Sequence, residues 1–260
     1  MIQIYKKYHI AYWIIGILCI IAMLVLDFLF PKLIILWFLL IAVCVVIDAS
    51  VFMRLASKKL SDEVIVLYND CRVQEYIDSL YLLMGNSKGV AKSIFNYLLA
   101  SGYALQNDYD KVYECCKNTT HKAHKTEYHL RMIDYYLNKE QPDLAEKEIE
   151  ELKKRIAKVR NAKYKSSLEL SVKSAEYGVR IKRGDYEGAE EFYLGVLASP
   201  NCKYRITKTS YSFALAKLLM LKGDNEGARQ YLQVSLENAG DTKYKAFSEK
   251  RLAEIDQIIR

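Results

Sequence analysis

The hydrophobic pattern of this 260-residue chain changes abruptly near residue 55. Before that point lie two nearly uninterrupted apolar runs, about 10–30 and 33–52, which are separated at Pro31. After it, apolar residues recur at every third or fourth position, which is the spacing of amphipathic helices. The pattern therefore divides the chain into an apolar region, 1–56, and a helical domain, 57–260.

Each apolar run is long enough to cross a lipid bilayer. About 20 helical residues span a hydrocarbon core of roughly 30 Å. The Pro31 ring cannot continue a helix, so the two runs predict two antiparallel spans rather than one long helix. Both runs are apolar on every face, which argues against a helical hairpin buried in a soluble protein. No cleavage-site pattern follows the first run, which argues against a signal peptide.

Cations flank the predicted spans at the ends away from the turn. Lys6 and Lys7 precede the first span, and Arg54, Lys58 and Lys59 follow the second. Because positively charged flanks stay on the cytoplasmic side, both termini are expected in the cytoplasm, with the protein integral to the cell membrane. The very short outer turn and the lack of long low-complexity tails favour a prokaryotic plasma membrane.

Composition narrows the class of the second region. With only 3 prolines and 11 glycines, the chain is expected to be all-α. The net charge of +7 is spread along the sequence and gives no basic patch typical of a nucleic-acid-binding protein. The 6 cysteines contain no C-x-x-C pair, so neither a zinc site nor a disulfide framework is indicated.

Four segments of the helical domain repeat one pattern: a helix, a polar break, and an acidic residue that opens a second helix. They read YALQNDYDKV from Tyr103, YLNKEQPDLA from Tyr136, RIKRGDYEGA from Arg180 and LMLKGDNEGA from Leu219. Gly184 and Gly223 suit a left-handed cap that ends a helix. Asp108, Asp185 and Asp224 suit the start of the next helix, where a carboxylate accepts backbone N–H bonds.

Each segment ends in a small or β-branched residue, at which two helices are expected to cross. A larger apolar or aromatic residue follows one turn later and is expected to pack back on the first helix. The pairs are Val112 and Cys116, Ala145 and Ile149, Ala189 and Tyr193, and Ala228 and Leu232.

This pattern resembles the tetratricopeptide repeat family, most clearly in RGDYEGAEEFYLGVL from Arg183 and KGDNEGARQYLQVSL from Lys222. The resemblance covers about 93–238 and implies a right-handed α-solenoid. The equivalent small residues are 33, 44 and 39 positions apart, against a family unit of about 34 residues. The wider intervals predict longer helices or linkers. The tryptophan that the family carries early in its first helix is absent.

Two flanking segments complete the predicted solenoid. Residues 57–92 read as an N-terminal cap or a degenerate first repeat, and 242–260 as an amphipathic C-terminal capping helix. A stacked array needs such ends, because each helix pair is too small to bury its own core. The predicted architecture is thus a transmembrane hairpin followed by a tetratricopeptide-like solenoid.

No catalytic or cofactor motif is evident in the sequence. The phosphate-binding, dinucleotide-binding and nucleophile-elbow patterns are all missing. His121, His124 and His129 fit a solvated connector better than a metal site, and Cys115-Cys116 fits helix packing better than a redox or lipidation site. We therefore expect a protein that is not an enzyme, with no cofactor, no metal and no evident small-molecule substrate. An enzyme with an unrecognised site remains an alternative.

The resemblance implies a concave groove, lined by the first helix of each pair, that holds a protein or peptide partner. The residues expected there are Tyr97, Ser101, Leu130, Asp134, Ser174, Phe213 and Lys217. The sequence therefore predicts a membrane-anchored scaffold or adaptor with a cytoplasmic groove, in contact with the bilayer through residues 10–52. The alternative is a small accessory subunit of a membrane complex, in which the transmembrane hairpin makes the specific contacts.

Overall fold

The computed structural model describes residues 58–119, 124–200 and 202–259, together with isolated positions in the first 57 residues (14, 17, 18, 21, 22, 25, 42, 43, 46, 50 and 54). Apart from these positions, the predicted spans 10–30 and 33–52 lie outside the described residues. Within the described part of the chain, no helix is both long enough and apolar enough to cross a membrane.

The regular secondary structure of the described residues is helical, as predicted. A helical segment, 58–65, runs into a π-helical turn, Val66–Asp70. The helices that follow are α1 (Val73–Met84), α2 (Gly89–Leu105), α3 (Tyr109–Lys117), α4 (Lys125–Asn138), α5 (Pro142–Ile156), α6 (Ala162–Lys182), α7 (Ala189–Ala198), α8 (Arg205–Leu221), α9 (Asn225–Asn238) and α10 (Lys243–Ile259). Helices that are neighbours along the chain pack closely on one another, except α6 and α7, which meet through the stacked rings of Tyr177 and Phe192.

The four aligned segments form corners with the same backbone geometry. In each, the sixth residue donates its N–H to the carbonyl of the first at 2.9 Å: Asp108 to Tyr103, Gln141 to Tyr136, Asp185 to Arg180 and Asp224 to Leu219. The residue before each donor has positive φ: 65° at Asn107, 57° at Glu140, 82° at Gly184 and 85° at Gly223. These are the bonds of a left-handed helix cap, which satisfy carbonyls at the end of the first helix.

Two of the three aspartates expected to start helices do so. Asp108 accepts the N–H of Lys111 at 3.2 Å, and Asp224 accepts that of Gly227 at 2.8 Å. The prediction for Asp185 was wrong, because α7 begins only at Ala189. The Asp185 carboxylate instead accepts the N–H of Glu187 at 3.1 Å and pairs with Arg180, which stabilises the turn that precedes the helix.

A second contact recurs at successive corners and joins antiparallel neighbours. The residue that caps the C-terminus of one helix binds the second residue of the preceding helix. The pairs are Gln106 with Gln74 at 2.8 Å, Lys139 with Asp110 at 3.1 Å, Arg183 with Asp143 at 2.6 Å, and Lys222 with Glu190. These contacts fix the register of α1–α2, α3–α4, α5–α6 and α7–α8 in the same way.

The predicted crossing residues are buried. Val112, Ala145, Ala189 and Ala228 are all 0% exposed. Their larger partners one turn later, Cys116, Ile149, Tyr193 and Leu232, are at most 4% exposed. Small side chains at the crossings let the helix axes approach, and the core continues through the stack in three adjoining clusters, centred on α1–α3, α4–α6 and α7–α10.

The two ends of the described helical domain meet, which the sequence did not predict. The Asp241 carboxylate accepts the N–H groups of Val73 and Gln74 at 2.6 and 3.3 Å, so a residue before α10 caps the start of α1. The Asp241 N–H in turn donates to the Cys71 carbonyl at 3.0 Å. We call this set of contacts the ring closure. The π-helical turn also packs on α8, which completes a ring of helices.

Candidate functional site

The ring encloses a pocket of about 570 Å³, which we call the central pocket. Its wall is built from the inner faces of α2, α4, α6 and α8, with the start of α10 and Tyr68 of the π-helical turn. Because the ends meet, the inner surface is a recess bounded on all sides by helices and not the open groove expected of a solenoid. A volume of this size is in the usual range for small-ligand sites.

The structure brings together four of the seven residues predicted for the groove. Ser101, Asp134, Phe213 and Lys217 all line the central pocket. The other three lie outside its wall. Tyr97 packs on the His124 ring with centroids 5.2 Å apart, Leu130 packs against the α4–α6 cluster, and Ser174 is half-buried on α6.

Cations outnumber acids in the pocket wall. Two of the cations are neutralised locally: Arg131 binds the Asp134 carboxylate at 2.8 Å, and Lys182 pairs with Glu140. Burial disfavours the Arg131 charge, but the Asp134 carboxylate together with Tyr68, Cys116 and Tyr109 holds the guanidinium pKa above its ordinary value. The other two cations, Lys217 on α8 and Lys243 on α10, form no ion pair within the described ranges.

Lys217 has neither an ion pair nor a hydrogen bond within the described parts of the chain. It projects into the central pocket from the second half of α8. Burial lowers its pKa, and the nearby charges of Lys182 and Arg251 lower it further, against the weaker opposing effect of Glu140. The Lys217 side chain is thus exposed to the pocket without an ion-pair partner among the described residues.

Lys243, the first residue of α10, is held by aromatic groups. Its Nζ donates to the Tyr109 hydroxyl at 2.7 Å, and it lies 4.9 Å from the Tyr109 ring centroid and 5.5 Å from that of Tyr244. No carboxylate of a described residue lies within 4.0 Å of it. Burial is the main cause that lowers the pKa of Lys243 to about 8. The contacts with the two rings only partly replace the lost hydration.

Aromatic rings form the apolar part of the same wall. The Phe213 centroid lies 5.4 Å from that of Tyr244 and 5.9 Å from that of Phe247. Tyr193 and Tyr68 complete this lining. The central pocket thus places two uncompensated ammonium groups beside a surface of flat rings.

The sequence analysis missed Lys243, Arg131 and Tyr244 as pocket residues. The apolar spacing of α10 predicted a terminal capping helix. Lys243, the first residue of that helix, was therefore not considered as a binding residue. The local sequence carries no signal that this position faces α3 and α4, because that contact joins residues 134 positions apart.

A second depression, of about 310 Å³ between α5 and α6, is a weaker candidate because most of its charges neutralise one another. Arg183 pairs with Glu146 at 2.8 Å, and Lys153 pairs with Glu150 and Glu176 at 2.7 and 2.8 Å. Arg180 pairs with Asp185, and the remaining cation, Lys173, lies 5.4 Å from the Phe192 ring centroid. This depression therefore has one lysine without an ion pair among the described residues, against two in the central pocket.

The residues weighed as metal or redox candidates have ordinary contacts where they are described. His129 pairs with Glu148 at 2.6 Å, and Cys115 and Cys116 are buried in the first core cluster. Among the described residues, no group of three metal-ligating side chains is close enough to hold an ion. His121 lies outside the described residues.

We expect the Lys243→Met substitution to remove a pH dependence of stability. In the folded protein Lys243 releases its proton near pH 8, whereas in the unfolded chain it does so near its ordinary value of 10.5. Between these values the unfolded state binds more protons, so the free energy of unfolding contributed by Lys243 rises with pH. Burial raises the pKa of Cys71, Cys115 and Cys116, so these thiols contribute a fall in stability over the same interval. Urea unfolding of the parent and of Lys243→Met at about pH 7.5 and about pH 9.5 isolates the Lys243 contribution as the difference between the two proteins.

The matched control is Lys250→Met, which changes an exposed lysine on the same helix. Its stability should change with pH as that of the parent does, whereas Lys243→Met should gain less, or lose more, stability between the two pH values than Lys250→Met. The same pH dependence in both variants would mean that Lys243 does not contribute to it. Burial raises the pKa of Tyr244, but that residue acts above pH 10 and outside this interval.

Comparisons of the chain with models of protein families, with curated proteins and with solved structures found no match.

Proposed function

We propose that this chain is a membrane-anchored adaptor that binds a segment of a partner protein in the central pocket. In this proposal, residues 10–30 and 33–52 form the bilayer hairpin, and the helical ring is a tetratricopeptide-like domain on the cytoplasmic side. The contact between each capping residue and the second residue of the preceding helix recurs at all four corners and supports a repeat architecture. The left-handed caps alone would not, because many unrelated helices end in the same way.

One observation carries the binding proposal: Lys217 and Lys243 face the same pocket, and neither forms an ion pair with a described residue. Lys243 is half-buried, and burial lowers its pKa, so its charge costs stability in the free protein, whereas the exposed Lys217 lies where a ligand can reach it. A ring that needed only to stack its helices would not require such groups at its centre. A ligand that supplies the missing interactions recovers this cost on binding, so the arrangement is typical of a recognition site.

The membrane anchor determines where such binding would act. The helical segment 58–65 directly follows the predicted second span, and the π-helical turn after it contributes Tyr68 to the pocket wall. The pocket is therefore built in part from residues that lie close in sequence to the predicted anchor. A partner bound there would be held close to the bilayer surface.

The proposal predicts that Lys217→Glu abolishes partner capture. The full-length chain would be crosslinked in membranes and the captured proteins identified, with Lys250→Glu as the matched control on an exposed position. We expect a partner to be captured by the parent and by Lys250→Glu, and capture to drop by about tenfold or more with Lys217→Glu, since an acid in the pocket reverses its charge preference.

A second substitution separates the adaptor from an accessory subunit. Residues 1–56 would be replaced with an unrelated two-span hairpin in the otherwise complete chain. An adaptor keeps its partner after this exchange, because the contacts are made by the helical ring. Loss of the partner with the foreign hairpin, together with unchanged capture by Lys217→Glu, would contradict the adaptor and favour a subunit whose spans make the contacts.

A further inference from the structure

We infer that the central pocket binds a small organic anion, in which a phosphate or carboxylate group is attached to a flat apolar body. This inference rests on the proposed function in one respect, which is that the central pocket is the recognition site. It adds a small ligand whose binding there would regulate the site. The inference stands on the charge balance of the wall, the position of the rings and the size of the recess.

The charge balance selects an anion. With Arg131 bound to Asp134 and Lys182 bound to Glu140, the local pairs cancel. The Lys217 and Lys243 ammonium groups remain. They lie on α8 and α10, two helices that pack on each other. Two lysines act as compact point charges with rotatable donors, a combination that suits the oxygen atoms of a phosphate or carboxylate.

The aromatic rings of the pocket wall indicate the apolar part of the ligand. Phe213, Tyr244 and Phe247 form a continuous set of centroids at separations of 5.4 and 5.9 Å, and Tyr244 also lies 5.5 Å from the Lys243 ammonium. An apolar, planar group placed on these faces would bury its surface next to the two cations. A charged group without such a body would leave the ring faces uncovered.

The closed ring favours a small molecule over a long helical segment. A helix that lies in an open solenoid enters along the concave face and leaves at its end. Here the ring closure joins Cys71, Val73 and Gln74 to Asp241, and the recess that it bounds is about 570 Å³. Ligands that fill a recess of this volume are of drug or metabolite size.

Lys243 should make the affinity of the central pocket for an anion depend on pH. The groups that face it are Tyr109 of α3, Arg131 and Asp134 of α4, and Lys217 of α8. Of these, Asp134 favours the protonated amine, while Arg131 and Lys217 oppose it, and burial is the largest influence. Because Lys243 loses its proton near pH 8, affinity for an anion should fall between about pH 7 and about pH 9.

The test is calorimetric titration of the full-length chain in lipid nanodiscs, with empty nanodiscs as the blank. The probes are phenyl phosphate, benzoate, the uncharged benzyl alcohol, and a short peptide with one glutamate beside a phenylalanine. We expect phenyl phosphate or benzoate to bind, and benzyl alcohol to bind at least about tenfold more weakly. Equal binding of the charged and neutral probes would overturn the anion assignment.

Variants of the two lysines then locate the site. Lys217→Met and Lys243→Met should each weaken anion binding by about tenfold or more, and Lys250→Met should leave it unchanged. Circular dichroism and thermal unfolding check that each variant is folded. Lys217→Met serves if Lys243→Met does not fold, since the Lys217 side chain is exposed within the pocket. Anion binding that both variants retain would place the site elsewhere.

The outcomes separate this inference from the proposed function. If small anions bind and depend on the lysines, but partner capture is insensitive to Lys217→Glu, the inference stands and the adaptor's use of the pocket fails. If capture depends on Lys217 and only the glutamate peptide binds, the small-anion inference fails and an acidic partner segment replaces it.

Discussion

Replacing Gly240 with alanine is expected to destabilise the protein far more than the same change at Gly223. Both glycines have positive φ, 58° and 85°. Alanine is unfavourable in this conformation, so the substitution should lower the free energy of unfolding by about 1–2 kcal/mol at either position through the backbone alone. At Gly240, however, the new Cβ would lie 2.5 Å from both the carbonyl oxygen and the Cβ of Cys71. Relief of that contact requires the ring closure to shift, which we estimate adds about 1–3 kcal/mol.

Gly223 is a matched control because nothing lies within 4 Å of a Cβ added there. Urea unfolding of the two variants, followed by circular dichroism, compares their free energies of unfolding directly. A clear excess loss for Gly240→Ala would support end-to-end contact of the helices in solution. Equal losses would mean that the ends are not in contact, and the central pocket would then be an open groove.

Leu232→Ala is the second substitution with a large expected effect. Leu232 is 0% exposed in the cluster formed by α7–α10, one turn after the crossing residue Ala228. Truncation to alanine removes buried methyl groups and leaves a cavity that helices locked by their corner contacts cannot fully close. We expect a loss of about 2–5 kcal/mol in the free energy of unfolding.

The comparison for this variant is Leu221→Ala at the end of α8, where the side chain is 54% exposed. That change should cost less than about 0.5 kcal/mol. Thermal unfolding of both variants provides the measurement. If Leu232→Ala lowered stability no more than Leu221→Ala does, the predicted packing of the α8–α9 crossing would be incorrect.

The variant could also lose structure only in the cluster of α7–α10, while the cluster of α1–α3 still unfolds in one cooperative step. That result would show that the ring unfolds in parts.

The corners were predictable from the sequence because they depend on local chemistry. A polar break, a residue that tolerates positive φ and a small residue at fixed spacing specify the end of one helix and the crossing of the next. The sequence placed all four corners, including the one at Glu140, where no glycine is present. It was less accurate for Asp185, because an extra turn before α7 uses that carboxylate for a different bond.

The candidate site was only partly predictable. Ser101, Asp134, Phe213 and Lys217 could be assigned to the inner helices from the repeat pattern, and they line the central pocket. Tyr97, Leu130 and Ser174 lie on the same helices but outside the pocket wall, since the ring turns those positions toward neighbouring helices. Lys243 could not be assigned, because its contacts are made with α3.

The sequence by itself determined the helices, their corners and the small residues at their crossings, since each is set by residues within about two turns of one another. It also carried the two apolar runs from which a membrane hairpin is predicted. Only the tertiary structure decided that the ends meet, that Asp241 caps α1, and that Lys217 and Lys243 share a pocket. These contacts depend on the small rotation between successive helix pairs, which adds up over the whole stack and leaves no local mark in the sequence.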